Sequence, residues 1–168
     1  MTGKLMKNLI LLFLLTLPFS VHSQITFNDL KKLDSKRAFE RICIEQGFEK
    51  NVKASSIRPS MASSETYYVL NPDATFEYGE IFAEYVDYSK YDPAGNVFYF
   101  WFEIDDGYGG VGLHYNTYQN ITSDIKRSCT FYDVILGVAY YSCPGSLYPG
   151  KIGFGIKDGF GYIRNFDF

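Results

Sequence analysis

The stretch Asn96-Val-Phe-Tyr-Phe-Trp-Phe-Glu-Ile-Asp105 decides the fold. Successive side chains of a strand point to opposite faces of a sheet, so this run divides into two sets. Phe98, Phe100, Phe102 and Ile104 share one face and read as core. Val97, Tyr99, Trp101, Glu103 and Asp105 share the other, which mixes rings with acids.

The pattern extends outward on both sides. Residues 67–70 and 75–88 are again rich in Tyr, Phe, Val and Ile, the residue types that fit a pleated surface. Asn71-Pro72-Asp73 and Asp92-Pro93-Ala94-Gly95 supply turns between them. Four more strands are expected near 129–134, 138–143, 150–157 and 161–167. Gly137, Pro144-Gly145, Pro149-Gly150 and Asp158-Gly159 punctuate them. Two short helices are expected at about 27–33 and 36–46. Asn28 or Asp29 is placed to cap the first and Asp34 or Ser35 the second, and Gly47 is a helix stop. A third helix is expected at 115–127, where Tyr115, Tyr118, Ile121 and Ile125 recur at helical spacing. Residues 51–65 are Ser-rich, hold Pro59 and read as a loop. The fold class is therefore α+β: two short N-terminal helices and one middle helix packed on antiparallel sheet.

The N-terminus reads as an address. Lys4 and Lys7 precede an apolar run from Leu9 to Phe19, and Val21-His22-Ser23 places small residues at the −3 and −1 positions before Gln24. That is the pattern of a secretory signal peptide covering residues 1–23. The alternative is an uncleaved anchor, but the run is shorter than the roughly 20 residues a spanning helix needs. The segment resembles signal peptides of flavobacteria-type bacteria, in which cleavage before Gln is familiar. The resemblance implies an exported protein, periplasmic or extracellular, with no stable membrane span after cleavage.

Composition narrows the function classes. The 168 residues are 46% hydrophobic and 21% charged, which argues against disorder. The net charge is −3, and loss of Lys4 and Lys7 with no acid leaves 14 basic against 19 acidic side chains, a net of −5. Such a surface offers no electrostatic footprint for nucleic acid. The remaining 145 residues make about one ordinary domain.

An internal echo divides that domain. Phe102-Glu-Ile-Asp-Asp-Gly-Tyr-Gly109 and Phe154-Gly-Ile-Lys-Asp-Gly-Phe-Gly161 share the pattern F-x-I-x-D-G-aromatic-G. The reading is one β-hairpin used twice around an Asp-Gly turn, against chance similarity of two ordinary hairpins. It gives two helix-plus-sheet units, 24–113 and 114–168, as a degenerate tandem. In size and element order the chain resembles β-lactamase-inhibitor-type proteins built from tandem α/β units. That resemblance bears on fold and brings no functional residue.

Three cysteines in an exported chain make one pair and one remainder. Cys129 and Cys143 bracket a hairpin centred on Leu136. A three-residue loop ending at Gly137 sets Cys129 opposite Cys143 and Phe131 opposite Tyr141, which allows a cross-strand disulfide. Cys43 lies on the apolar face of the second helix and reads as a small buried hydrophobe rather than a reactive thiol.

The chemistry-bearing residues are few. His114 is the one histidine after residue 23, it precedes a helix, and no G-x-S-x-G partner exists. No catalytic residue, metal ligand or cofactor is assigned. Asp105-Asp106-Gly107 reads as a turn, since it lacks the alternating oxygens of a calcium loop. The glycines from Gly107 to Gly112 read as a crossover between the units. Asn120-Ile-Thr122 fits a glycosylation acceptor, which means little if the source is bacterial, as the resemblance of the signal segment implies. If the strands at 79–89 and 96–105 pair across the Asp92–Gly95 turn, Glu84 faces Glu103, Val86 faces Trp101 and Tyr88 faces Tyr99. Trp101, Tyr99, Tyr88, Glu84 and Glu103 then form a candidate ligand face, with rings to stack and acids to fix polar groups. The competing reading is the second packed face of a sheet. Lys151, Gly153, Gly155 and Lys157 make a second bare face on which another element could lie. The expected function is an exported, non-enzymatic binding or inhibitor-like module with a protein or glycan partner. The alternative is a small carboxylate hydrolase or a glycan-binding module.

Overall fold

A computed structural model describes residues 25–50, 64–70, 82–87, 96–112, 114–147 and 150–166. The signal-peptide segment, most of the 51–65 loop and Tyr88 lie outside them.

Helix α1 (Phe27–Lys31) begins at Thr26, whose hydroxyl accepts from the Asp29 amide while the Asp29 carboxylate accepts from the Thr26 amide. This reciprocal pair corrects the expected cap by two or three residues: Asp29 is the third helical residue, where a carboxylate reaches back. Helix α2 (Lys36–Glu45) is capped by Ser35, whose Oγ accepts from Ala38 at 3.2 Å. It ends at Gly47, whose φ of 78° is the left-handed cap that favours glycine. Strand β1 (Phe48–Lys50) follows at once. Three residues are too few to show alternation, which is why it escaped the sequence reading.

Strands β2 (Ser64–Leu70), β3 (Phe82–Asp87) and β4 (Asn96–Glu103) complete a meander. Helix α3 (Tyr115–Ser128) leads to β5 (Thr130–Ile135), β6 (Val138–Ser142), β7 (Lys151–Lys157) and β8 (Phe160–Phe166). The described residues thus form three helices and one eight-stranded antiparallel sheet, an α+β fold. Its order is β1-β2-β3-β4-β8-β7-β6-β5. Each half is a four-stranded meander, and the halves join through their last strands, β4 against β8.

One face of the sheet carries the helices. Leu30, Leu33, Phe39, Ile42, Cys43, Tyr118, Ile121 and Ile125 pack onto Tyr85, Phe98, Phe100, Phe102, Ile152, Phe154 and Ile163. Phe98, Phe100 and Phe102 are each at most 1% exposed, and burying such a ring contributes on the order of 2 kcal/mol. The face of β4 read as core is therefore the core. Gly161 admits Tyr118: a Cβ there would lie 2.7 Å from its ring, and the Tyr118 hydroxyl donates to the Gly155 carbonyl at 2.9 Å.

The two halves of the echo occupy different places. Phe154–Gly161 is the β7–β8 hairpin, turned by Asp158 and Gly159 at positive φ. Phe102–Gly109 leaves the sheet after β4 and enters a loop closed by an isolated bridge between Asp105 and Val111. The two meet where Ile104 and Asp105 both donate to the Gly159 carbonyl at 3.1 Å. Like residues serve a hairpin once and a crossover once, because an Asp-Gly pair fixes a local turn and not the course of the chain beyond it.

Cys129 and Cys143 form a disulfide with Cα atoms 4.4 Å apart. Phe131 stands opposite Tyr141 as expected, but the turn differs. Ile135 pairs with Val138 around a two-residue turn, Leu136-Gly137, with both φ positive. The ladder slips by one residue between Phe131 and Asp133, so the odd residue sits in a strand bulge at Tyr132 rather than in the turn.

Candidate functional site

The face opposite the described helices gathers the residues of interest. The β3–β4 register is Phe82 to Trp101, Glu84 to Tyr99 and Val86 to Val97. This corrects the expected pairing. Glu84 faces Tyr99 and not Glu103, and Val86 faces Val97 and not Trp101. Glu103 stands opposite Phe160 of β8. The shift is four residues, an even number, so every side chain stays on its expected face and alternation cannot detect the error. The eight residues 88–95 join the strands where a four-residue turn was expected.

The consequence for acid–base chemistry is direct. Glu84 and Glu103 are offset by four positions along the ladder, roughly 14 Å at the rise of a strand. Carboxylate pairs in glycosidases stand about 5–9.5 Å apart. Glu84 is also buried, only 7% exposed. Glu103 is half-buried, and its carboxyl is held above the usual range by desolvation, then by the charges of Asp106 and Asp105.

What the register does bring together is aromatic. Tyr99 and Trp101 stack at 5.8 Å between centroids with planes 20° apart. Tyr162 of β8, directly across from Trp101, sits 5.0 Å from it and 6.5 Å from Tyr99. Arg164 faces Tyr99 and donates through Nη1 to its hydroxyl at 3.1 Å. The guanidinium carbon stands 5.8 Å from the Tyr99 ring and 5.2 Å from that of Tyr140, within cation–π range of both. Burial, and then Tyr99, raise the Tyr162 hydroxyl above its usual titration range.

The glycines of β7 are the reason these rings lie down. A Cβ at Gly153 would meet the Tyr140 ring at 2.6 Å, and one at Gly155 would meet the Tyr162 hydroxyl at 2.7 Å. Two side chains of this sheet therefore fill the bare strip that the sequence offered as a second contact surface. The face is a layer of rings with Tyr99, Trp101, Tyr162 and Arg164 half-buried, while Val86, Val97 and Tyr140 are fully buried.

Sequence reasoning missed Tyr162 and Arg164. They lie more than 60 residues from Tyr99, on the strand that joins the two meanders. The available signal was Arg164 itself, the single charged residue in the largely aromatic run Phe160–Phe166.

The loop after β4 is a nest of carboxylates turned onto their own backbone. Asp105 Oδ1 accepts from Gly107, and Asp106 Oδ1 accepts from Tyr108 and Gly110 at 2.9 and 2.8 Å. Those two amides hold the Asp106 carboxyl below its usual range. His114 precedes α3 without a side-chain cap bond. Cys43 is buried in the core, and burial followed by the Glu40 charge pushes its thiol far up.

No known protein family, curated protein or solved structure matches the chain.

Proposed function

We propose that the protein is an exported, non-enzymatic binding module whose ligand seats around Trp101, on the face opposite the described helices. The observation that carries this reading is the contiguous cluster of Tyr99, Trp101 and Tyr162, half-buried and flanked by Arg164. Aromatic rings with polar tips and an arginine are the side chains that dominate binding hot spots. The cross-strand disulfide supports an oxidising compartment outside the cytoplasm. No helix among the described residues is long and apolar enough to cross a membrane. The wide separation of Glu84 from Glu103 weighs against the carboxylate-hydrolase alternative.

Glycan binding is the second reading, favoured by the near-parallel Tyr99–Trp101 stack, a platform on which a sugar ring can lie. Trp101 is the sole tryptophan, so its emission reports on the face directly. The test combines crosslinked capture from native envelope and medium with titration by soluble oligosaccharides. A bound partner that shields Trp101 from iodide quenching, and is lost in Trp101→Ala, supports the proposal. An oligosaccharide that does the same selects the glycan reading. A partner retained by Trp101→Ala would falsify the assignment of this face.

A further inference from the structure

The edge strand β5 and its turn carry a surface that neither the ring face nor the core explains. Strand β5 ends the sheet, and Thr130 to Val134 are all exposed. Phe131, Tyr132 and Val134 each expose more than half of their surface, and Leu136 exposes 97%. Leu136 also holds φ at 52° in the first position of a two-residue hairpin turn. Asn, Asp or Gly occupies that position at least cost, and a leucine there is strained. A fully exposed aliphatic side chain in a backbone conformation that disfavours it gains nothing from the isolated fold. Its gain must come from a contact.

From this we infer that the β5–β6 hairpin is a self-association surface, on which a second copy of the chain packs edge to edge about a two-fold axis. Three features select a second copy. First, charge on the patch is balanced: Lys151 of β7 lies over the Tyr132 ring at 4.9 Å, and the hairpin itself adds a single acid. Asp133 is the one charged residue in 130–142, and its carboxylate turns back to accept from the Val134 amide at 2.7 Å. Two copies thus meet without bringing their net negative charge together. A lipid surface is disfavoured because one lysine, Lys151, already seated on the Tyr132 ring, falls short of the basic cluster that anchors on anionic headgroups. Second, the area fits. The four exposed apolar side chains offer roughly 500 Å² per copy, so two copies bury at most about 1,000 Å², at the lower limit of a specific interface. The association is therefore weak and reversible. Third, the geometry closes. Identical antiparallel edges are self-complementary about a two-fold axis. The opposite edge, β1, is three residues long and exposes Glu49 and Lys50, which blunts it. Assembly stops at the dimer.

The contact is chiefly side-chain packing. The bulge at Tyr132 and the Asp133 carboxylate on the Val134 amide interrupt the outward row of backbone groups, so a continuous sixteen-stranded ladder does not form.

Sedimentation equilibrium over about 1 μM to 1 mM tests this. The expected result is a mass that rises from monomer to dimer and no further. Leu136→Asn and Val134→Lys should each move the transition to concentrations at least about tenfold higher. Leu136→Asn should melt no lower than wild type, since Asn tolerates the turn conformation, so lost dimer cannot be blamed on lost fold. Ile44→Gln, an exposed change on α2, should leave the transition in place. A wild type that stays monomeric throughout overturns the proposal, including one that binds vesicles or another protein through the hairpin. So does a dimer that both hairpin variants leave unshifted, or an assembly that grows past two.

Discussion

Arg164 donates through Nη1 to the hydroxyl of Tyr99 at 3.1 Å, and its guanidinium carbon stands 5.8 Å from the centre of the same ring. The contact links β4 to β8, the junction of the two meanders. It also holds Tyr99 where it stacks on Trp101. Because a planar fork can donate in its own plane while lying near ring faces, arginine does here what a lysine cannot. Arg164→Lys should lower stability by about 1–2 kcal/mol in urea titrations and increase the mobility of Trp101 seen in fluorescence anisotropy decay. An unchanged urea midpoint would show that the contact is incidental.

Gly161 and Tyr118 make a close fit between helix and sheet. A Cβ at Gly161 would lie 2.7 Å from the Tyr118 ring, which is buried and held by its hydroxyl bond to Gly155. Burial, and the nearby Tyr162, push the Tyr118 hydroxyl up to about 12, so it remains a donor at neutral pH. Gly161→Ala should cost about 1–3 kcal/mol through overpacking. A double-mutant cycle with Tyr118→Leu should recover part of that loss, because the smaller side chain vacates the space. Strict additivity of the two changes would place the cost elsewhere.

The Cys129–Cys143 bridge ties the start of the edge strand β5 to β6, closing a loop with a sequence separation of 14. A loop of that size restricts the unfolded chain by about 3 kcal/mol. Replacing both cysteines by alanine should cost approximately that amount in equilibrium unfolding. The loss should be matched by adding reductant to the wild type. Equal stability of reduced and oxidised protein would contradict it.

These cases show which parts of the fold the sequence encodes locally. Alternation along Asn96–Asp105 names the buried face of β4, and the spacing of Tyr118, Ile121 and Ile125 names the buried face of α3. Cys129 and Cys143 could be paired because their hairpin is local. Register between β3 and β4 was not legible. Pairings that differ by four residues bury the same faces, and the length of the connection at 88–95 decides between them. The candidate site was legible by half. Tyr99 and Trp101 follow from one strand, but Tyr162 and Arg164 enter through the β4–β8 pairing, which no short-range pattern specifies. Tyr88 falls outside the described residues, and Glu84 proves buried.

Glu103 carries the last prediction, and its sign runs opposite to that of its neighbour Asp106. Desolvation, then the charges of Asp106 and Asp105, raise the Glu103 carboxyl in the folded state. The native protein therefore holds this proton more tightly than the unfolded chain does. Stability from Glu103 is present below its unfolded value and falls as pH rises through the folded one. Asp106 is lowered by the amides of Tyr108 and Gly110, so its contribution is present above its unfolded value and is lost as pH falls. Glu103→Gln removes the first effect and leaves the second. The variant should equal the wild type at pH about 3 and exceed it at pH 7 by less than about 1 kcal/mol, the scale expected for a half-exposed charge. Urea midpoints for both proteins across that range decide the matter. Parallel curves would mean that the crowding of Glu103 by Asp105 and Asp106 is relieved by solvent.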